Sequence, residues 1–210
     1  MSKTRFHRAL AAAVLCSAVA VGLQGCVALL FGGAITGAMA AQDRRTLGAQ
    51  TEDKAIVLKG ESRMRQLFGD DAHVNFTSYN RRVLLTGEVK DDAMKQNAER
   101  EAKAIENVAS VINELEIAGV SSVTSRSNDV LLAGKVKAAL VDNKQISASI
   151  VKVTAEHGAV YLMGLVSERE GAIAAEVARG VSGVQKVVKV FEYIPQEEAE
   201  KFSSPQPAAK

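Results

Sequence analysis

The stretch VYLMGLV, residues 160–166, decides the fold of this chain because a second copy of its pattern occurs earlier. Residues 83–89 read VLLTGEV, so Gly87 and Gly164 occupy the same place in two apolar runs. The apolar residues that follow also repeat, over residues 102–111 and 178–187. The repeat distance of about 76 residues is longer than most solenoid units and long enough for a small domain that folds alone. The sequence therefore predicts two small domains of the same kind.

Each copy predicts the same order of elements: helix, strand, strand, helix, strand. The first helices are predicted over residues 56–68 and 129–141. Ser127 or Asn128 is the candidate N-cap of the helix in the second copy. Alternating runs turn at Asn80-Arg81 and at His157-Gly158, which predicts two β-hairpins. The later helices and strands are predicted over residues 93–105, 111–117, 168–180 and 187–193.

Two local motifs fix individual positions within these elements. Ser167 and Glu170 have the spacing of a capping box, which predicts a helix that begins directly after Ser167. Gly87 and Gly164 lie inside strand patterns, where glycine indicates a bulge or a close approach of two backbones. We interpret these glycines as markers of the fold and not as site residues.

The segments around the two repeats differ from them in composition. A Gly- and Ala-rich apolar stem precedes the first repeat, a Ser-rich linker separates the two, and a polar tail follows. The predicted division is a signal peptide at 1–25, a stem at 26–46, a first domain at 47–118, a linker at 119–126, a second domain at 127–195 and a disordered tail at 196–210. We expect the two domains to fold as separate units.

The N-terminal residues have the layout of a bacterial lipoprotein signal. Three basic residues precede an apolar stretch over residues 9–21, and LQGC at 23–26 closes it. This tetrapeptide resembles a lipobox, which implies that Cys26 begins the mature chain and carries an S-diacylglycerol and an N-acyl group. Acyl chains in that number hold a protein stably on a membrane. A transmembrane helix over residues 9–41 is the alternative, since about 20 apolar residues span a bilayer.

Composition excludes some classes of partner. The 210-residue chain has a formal net charge of +2, and the loss of three basic residues with the signal leaves the mature chain at −1. Because binding to nucleic acid needs a concentrated positive patch, nucleic acid is not an expected partner. Cys16 leaves with the signal, so Cys26 is the only cysteine of the mature chain and no disulfide is expected.

Residue patterns typical of catalysis or metal binding are sparse. His73 and His157 have no second ligand near them in the sequence. No phosphate loop, dinucleotide fingerprint or Gly-x-Ser-x-Gly motif occurs. We therefore predict no catalytic residue, no metal, no cofactor beyond the acyl groups on Cys26 and no small-molecule substrate. A metal site assembled in space across the two domains stays open as an alternative.

The pattern Val-x-Leu-x-Gly-x-Val, followed by a helix and then Gly-Val-x-x-Val, resembles the BON domain. The second copy carries both parts, at residues 160–166 and 183–187, whereas the first copy has Asn107 where the family usually has glycine. Together with the lipobox, the chain resembles the dual BON-domain outer-membrane lipoproteins. The resemblance implies an α+β fold of two tandem domains, each α-β-β-α-β with two helices packed on a three-stranded mixed sheet. It also implies that the protein is not an enzyme.

The same resemblance implies a location and a partner. Val27, and not Asp, after the lipidated cysteine implies transfer to the outer membrane, where the anchored chain would face the periplasm. Proteins of this kind support envelope integrity, and their second domain contacts anionic phospholipid through its first helix. A family aromatic on that helix is matched here by Leu131. The alternative function is a protein-interaction scaffold that docks an envelope-assembly partner, with the lipid contact incidental to the anchor.

Helical geometry predicts which residues of that helix face outward. The stripe expected to pack on the sheet consists of Leu132, Val136, Ala139 and Leu140. Leu131 lies about 100° away from this stripe, Lys135 follows four residues later, and Lys137 lies on the flank. Since an exposed apolar side chain beside ammonium groups suits an anionic interface, we predict Leu131, Lys135 and Lys137 as phospholipid-binding residues. A single surface leucine among solvated lysines is the alternative.

We expect the substitution Cys26→Ala to abolish acylation and to release the protein from membranes, because no other cysteine of the mature chain can accept the diacylglycerol. The measurement is incorporation of a labelled fatty acid into the protein isolated from growing cells. Label in the Cys26→Ala protein at the wild-type level would contradict the lipoprotein assignment.

Overall fold

Each copy of the repeat has the predicted order of elements in the computed structural model, which describes residues 43–203. The first domain consists of α1 (Leu47–Phe68), β1 (His73–Tyr79), β2 (Arg82–Val89), α2 (Asp92–Lys103), β3 (Ser110–Asn113) and β4 (Glu116–Ile117). The second domain consists of α3 (Val123–Asp142), β5 (Lys152–Glu156), β6 (Ala159–Val166), α4 (Glu168–Arg179) and β7 (Lys186–Tyr193). A short helix, α5 (Gln196–Ser203), follows. The predicted signal peptide and Cys26 lie outside the described residues.

Both sheets are mixed, as expected for the predicted α+β fold. β1 pairs antiparallel with β2, and β2 pairs parallel with β3 and β4. In the second domain β5 pairs antiparallel with β6, and β6 pairs parallel with β7. The two stretches that define the repeat therefore form the central strands β2 and β6. A strand with neighbours on both sides and layers on both faces needs a nearly continuous apolar sequence, and both stretches have one.

The first helix of each domain begins earlier than the apolar pattern predicts. α1 begins at Leu47, where the Thr46 hydroxyl accepts a hydrogen bond from the Ala49 N–H. α3 begins at Val123 because Ser122 caps it by accepting from the Ser125 N–H. The predicted caps Ser127 and Asn128 are thus inside the helix, and the last four residues of the predicted linker are helical. The early turns were missed because few of their residues are buried, so they lack the apolar periodicity that marks the rest.

Two other segments differ from their predictions. Residues 196–203, expected to begin a disordered tail, form α5, in which Ala199 is buried; residues 204–210 are not described. The last strand of the first domain, predicted as continuous over 111–117, breaks between β3 and β4. At the break the Glu114 N–H donates to the Leu85 carbonyl. Leu115 is 1% exposed and lies in the helix-side core, by which we mean the apolar core between a sheet and the helices of its own domain. The break lets this side chain reach the core.

The two predicted hairpins are present and share one turn geometry. Asn80 and Arg81 have φ values of 50° and 64°, and His157 and Gly158 have φ values of 48° and 76°. Positive φ at both central residues is the type I′ turn, whose twist matches that of the paired strands. The turns therefore set the register Tyr79↔Arg82 in one domain and Glu156↔Ala159 in the other.

A buried aspartate on the first helix holds the hairpin turn in each domain. Asp53 accepts hydrogen bonds from the Asn80 and Arg81 N–H groups, both at 2.7 Å, and from the Ser78 hydroxyl at 2.6 Å. Asp129 occupies the equivalent place in the second domain, where it accepts from the Gly158 N–H at 3.1 Å. In both domains, therefore, a hydrogen bond from the hairpin turn to an aspartate joins the first helix to the sheet.

The repeat glycines have the structural role that the sequence indicates. A Cβ added at Gly87 would lie 2.0 Å from the His73 carbonyl oxygen, and one at Gly164 would lie 2.4 Å from the Ile150 carbonyl oxygen. Each glycine therefore permits a close approach of two backbones. Asn107, which replaces the family glycine in the first copy, has a φ of 66°, and its equivalent Gly183 has a φ of 100°. Asparagine is among the few residues other than glycine that adopt this conformation readily.

The two sheets pack face to face through the surfaces that their own helices leave uncovered. Alternate residues of the central strands point to opposite sides. Val83 and Leu85 face the helices α1 and α2, whereas Leu84 faces the other domain. The cluster between the sheets, which we call the inter-sheet core, contains Tyr79, Leu84, Ala159, Tyr161, Met163 and Val190, flanked by Ile112, Leu165 and Val188. The arrangement of layers is helices, sheet, sheet, helices.

Polar contacts surround the inter-sheet core. Arg82 donates to the Phe191 carbonyl at 2.8 Å, and the Asn80 side-chain amide donates to Glu192 at 2.8 Å. The Lys152 ammonium donates to the Ser78 carbonyl at 3.2 Å. These bonds satisfy polar groups at the rim of an apolar contact, as in other protein interfaces.

Separate folding of residues 47–118 and 127–195 stays a prediction.

We expect Asp53→Ala to lower the free energy of unfolding by about 3 kcal/mol, because it leaves two N–H groups of the turn and the buried Ser78 hydroxyl without their charged acceptor. The measurement is urea denaturation of the mature chain, followed by circular dichroism. Asp70→Ala is the matched control, since Asp70 is exposed, and it should change stability by less than about 0.5 kcal/mol. Equal stabilities of the two variants would show that Asp53 does not hold the turn.

Candidate functional site

The inward face of α3 is the one that the sequence predicts. Leu132, Val136 and Leu140 are buried in the helix-side core of the second domain. Ala139, also predicted to face inward, is half-buried. Spacings of four residues between the three buried side chains place them on one stripe, which packs on the sheet below.

The outward face of α3 is also apolar, which is unusual for a surface helix. Leu131 is 64% exposed, as predicted, and Val123, Val130 and Val141 are 72%, 72% and 66% exposed. Between them lie Gly134, around which a Cβ would meet no atom within 4 Å, and the exposed Ala138. We call these six residues the outer face of α3. The exposed Ser127 lies on the same face, among these apolar residues. Exposed apolar side chains grouped on one helix face favour an interaction with a membrane or another protein.

Lys135 lies beside this outer face, as predicted. Its side chain is exposed and lies about 40° from Leu131 around the helix. Both residues line a groove of about 460 Å³ between α3, the β5–β6 turn at His157 and the loop at Gly183. The groove places an ammonium group and an apolar side chain together at one opening.

Lys137 makes hydrogen bonds inside the second domain, and its predicted contact with phospholipid stays a prediction. Its ammonium group donates to the carbonyls of Ala148 and Val151, at 2.6 Å and 2.7 Å. It is half-buried there, and burial lowers the pKa of Lys137. Because these carbonyls precede β5, Lys137 fastens the end of a connecting turn to α3. Its ammonium group is therefore bound inside the domain and is not part of the outer face.

Of the four large apolar residues of the outer face, sequence reasoning found Leu131 and missed the other three. Val130 and Val141 lie inside the helix that was predicted and are apolar, but only the stripe toward the sheet was sought in the pattern. Val123 was missed because the helix was predicted to begin six residues later. Val123 and Val130 are seven residues apart and so share a face, which was the available signal.

A second feature, not predicted, joins the end of the stem to the second domain. Arg44 is buried and makes a bidentate ion pair with Glu170, both N–O distances being 2.7 Å. It also donates to the carbonyls of Leu165 and Ala199, at 2.8 Å and 3.1 Å. The end of the predicted stem is thereby fixed on β6, α4 and α5 of the second domain. No local sequence pattern predicts this contact, since the partners of Arg44 lie more than 100 positions away.

The electrostatics of Glu170 reflect this contact. Burial raises the pKa of Glu170, but hydrogen bonds from Arg44 and from the Ser167 backbone lower it by more, so the net shift is downward. The Glu170 carboxylate also completes the predicted capping box, because it accepts from the Ser167 N–H at 2.8 Å while Ser167 accepts from the Glu170 N–H. One side chain therefore serves both the helix start and the Arg44 contact.

Among residues 43–203, one group of side chains offers three ligand atoms for a metal ion. Glu88, Glu156 and His157 place one ligand atom each within 4.8 Å of one another. The sequence predicted no metal and left a site across the domains open. His73 takes no part in this group; its ring contacts Asn75 at 3.2 Å and Arg126 at 3.4 Å.

The helices of the described region were also compared with the thickness of a bilayer. None of those within residues 43–203 combines the length and the apolar character that a membrane crossing requires. The predicted acylation site and the alternative transmembrane segment both lie outside this region.

Comparison with known proteins finds BON-domain matches and related bacterial proteins. A family model described as BON domain matches residues 61–119 and again 128–195. Outer membrane lipoprotein DolP of Haemophilus influenzae is 38% identical over 174 residues, which are 82% of this chain and 90% of that protein. The 21 kDa hemolysin of Actinobacillus pleuropneumoniae is 34% identical over 155 residues, 72% of this chain and 79% of that protein. Osmotically-inducible protein Y of Escherichia coli is 32% identical over 108 residues, 50% of this chain and 54% of that protein.

We expect Arg44→Ala to lower the free energy of unfolding by about 3 kcal/mol at pH 7, because Glu170 loses its buried partner. Arg44→Lys should restore little, since an ammonium group cannot reproduce the bidentate geometry. Urea denaturation measures both effects, and Arg179→Ala, which removes an exposed ion pair with Glu176, is the control.

The same variant has an expected pH dependence. The folded-state pKa of Glu170 is lowered, so its stabilising effect is present above the unfolded value of about 4.3 and is lost as the pH falls through the folded value. The stability difference between wild type and Arg44→Ala should therefore narrow below about pH 4. A difference that is unchanged in acid would contradict the pairing of these two side chains.

Proposed function

This chain belongs to the BON-domain family, as a dual BON-domain protein of the outer-membrane lipoprotein type, and from that premise we propose that its second domain docks on anionic phospholipid through α3. The docked protein is anchored by the acyl groups on Cys26, faces the periplasm and supports the integrity of the envelope. It acts by binding, and we assign it no reaction.

The observation that carries this proposal is the apolar outer face of α3. Val123, Val130, Leu131 and Val141 are each more than 60% exposed, and Lys135 is the basic residue beside them. A helix that lies in a membrane interface has this composition, with apolar side chains inserted and lysine at the headgroup level. Full burial of one such side chain contributes about 1.5 to 3 kcal/mol, and a lysine near an anionic surface contributes about 1 kcal/mol.

A difference between the two domains supports the second one as the docking domain. Asp53 and Asp129 are equivalent, since each holds its hairpin turn. The residues that follow them are Lys54 and Ala55 in α1 but Val130 and Leu131 in α3. α1 therefore presents a charge and a small side chain where α3 presents two large apolar ones. The domains share a fold and differ on this surface.

The tether permits the docking. The segment from Cys26 to Arg44 spans 18 residue steps, which reach at most about 60 Å when extended. A folded unit of this size is only about 40 Å across, so α3 can reach the membrane that holds the anchor. Since the anchor supplies a high local concentration, the helix needs only modest affinity and mainly sets the orientation of the protein.

We expect Leu131→Glu to weaken binding of the non-acylated mature chain to anionic vesicles at least tenfold, because the loss of about 2 kcal/mol of apolar burial is a factor of about 30. Lys135→Glu should weaken it severalfold and reduce its dependence on salt. Co-sedimentation with phosphatidylglycerol-containing vesicles measures both effects.

Leu58→Glu is the matched control for this experiment. Leu58 is a 69% exposed leucine on α1, so the same substitution there should leave binding unchanged. Lys137→Glu should instead lower stability, because its ammonium group holds two carbonyls inside the domain. If wild type ignores anionic vesicles, or if folded Leu131→Glu binds them as wild type does, the outer face is not the lipid site. The scaffold function with an envelope-assembly partner would then be favoured.

A further inference from the structure

We propose that Glu88, Glu156 and His157 form a binding site for a divalent transition-metal ion of the Zn²⁺ type, assembled from both domains. Glu88 lies on β2 of the first domain, on the side that faces the second domain. Glu156 ends β5 of the second domain, and His157 is the first residue of the turn that follows. The site exists only because the two sheets pack together.

The ligand atoms are close enough for one ion. His157 Nε2 lies 2.7 Å from Glu88 Oε1, and the three ligand atoms all lie within 4.8 Å of one another. Zn²⁺ lies about 2.0 to 2.2 Å from nitrogen and oxygen ligands, so neighbouring ligands of a tetrahedral ion are about 3.3 to 3.5 Å apart. The 2.7 Å separation is shorter than this and the 4.8 Å limit is longer, so we expect small side-chain rotations to bring the three ligand atoms to the required separations.

Each of the three side chains is held from behind by another segment. The other ring nitrogen of His157, Nδ1, lies 3.2 Å from Glu116 Oε2. Glu88 Oε2 accepts from the Ser121 N–H at 3.3 Å, and Glu156 Oε2 accepts from the Asn75 amide at 2.6 Å. A metal-binding histidine commonly donates its second N–H to a carboxylate in this way, and ligating carboxylates are commonly hydrogen-bonded.

The burial of the carboxylates points to a cation. Glu88 is 0% exposed, and its Oε1 accepts no aligned hydrogen bond although His157 is close to it. Glu156 is 4% exposed, and the nearby Asp129 has a second buried carboxylate oxygen without a hydrogen-bond partner. Buried carboxylates are costly unless paired, and a divalent ion compensates two of them at once.

The donor set and the access favour Zn²⁺ over hard cations. Three protein ligands leave a fourth position for water, as in open Zn²⁺ sites, and imidazole is a ligand that suits Zn²⁺, whereas Ca²⁺ and Mg²⁺ prefer oxygen ligands. His157 lines the groove of about 460 Å³ beside Leu131, and Glu156 lines a cleft of about 380 Å³ next to it. An ion can therefore enter from solvent, and once bound it would join the two domains.

The test is a calorimetric titration of ZnCl₂ into the metal-free mature chain carrying Cys26→Ala, which also removes the only competing thiol. We expect one ion per chain at micromolar affinity, a raised thermal midpoint that EDTA reverses, and no effect of MgCl₂. His157→Asn, in which the half-exposed ligand is replaced without burying a new charge, should weaken binding at least tenfold. Glu176→Gln, which changes an exposed carboxylate on α4 that takes no part in the cluster, is the control and should bind as wild type does.

Two further measurements make the result decisive. Glu156→Gln should also weaken binding at least tenfold, and circular dichroism reports whether each variant is folded. Co²⁺ added in place of Zn²⁺ should give the visible absorption of a four-coordinate ion in wild type and lose it in His157→Asn. No saturable binding by wild type, or equal affinity in folded wild type and His157→Asn, would overturn the proposal and leave the cluster an ion-pair network. The vesicle experiment is independent of either result.

Discussion

The structure depends on the burial of both faces of β2 and β6. One face of each central strand packs on the helices of its own domain, through residues such as Val83 and Val160. The other face packs on the opposite domain, through Leu84, Tyr161 and Met163. A three-stranded sheet with helices on one side leaves its second side to water, and antiparallel sheets usually carry polar residues there. Here that side carries apolar residues in both domains, so each sheet buries the exposed face of the other.

This packing determines which surfaces are left for function. Because the sheets face each other, the four long helices lie outside, and the properties of each helix surface decide what it can bind. α1 carries Lys54 and Ala55 where α3 carries Val130 and Leu131. α1 also exposes Leu47 and Leu58, so the two helices differ at particular positions of this face and not in exposing apolar residues as such. Arg44, bound to Glu170, fixes the end of the predicted stem to the domain that contains α3.

The same packing gathers charges that are far apart in the sequence. Glu88 and Glu116 belong to the first domain, while Glu156 and His157 belong to the second, and all four meet at one edge of the inter-sheet core. In the sequence each of these glutamates belongs to a strand segment that gives no sign of the cluster. Burial beside the other carboxylates raises the pKa of Glu156, and the hydrogen bond to Glu116 is the largest cause of the raised pKa of His157. A cluster of this kind arises from the contact between the domains and from neither domain alone.

The sequence by itself determined the repeat, the order of elements, both hairpin turns, the capping box at Ser167 and the inward stripe of α3. These features are local, because periodicity, glycine and turn residues act on chain segments of a few residues. The start of α3 at Val123 and the use of Lys137 inside the domain depend on partners that periodicity does not reveal. The stacking of the sheets, the Arg44–Glu170 contact and the Glu88–His157 pair were decided only by the tertiary structure. They join residues between 69 and 126 positions apart, and an apolar strand sequence shows that both faces are buried without showing what covers them.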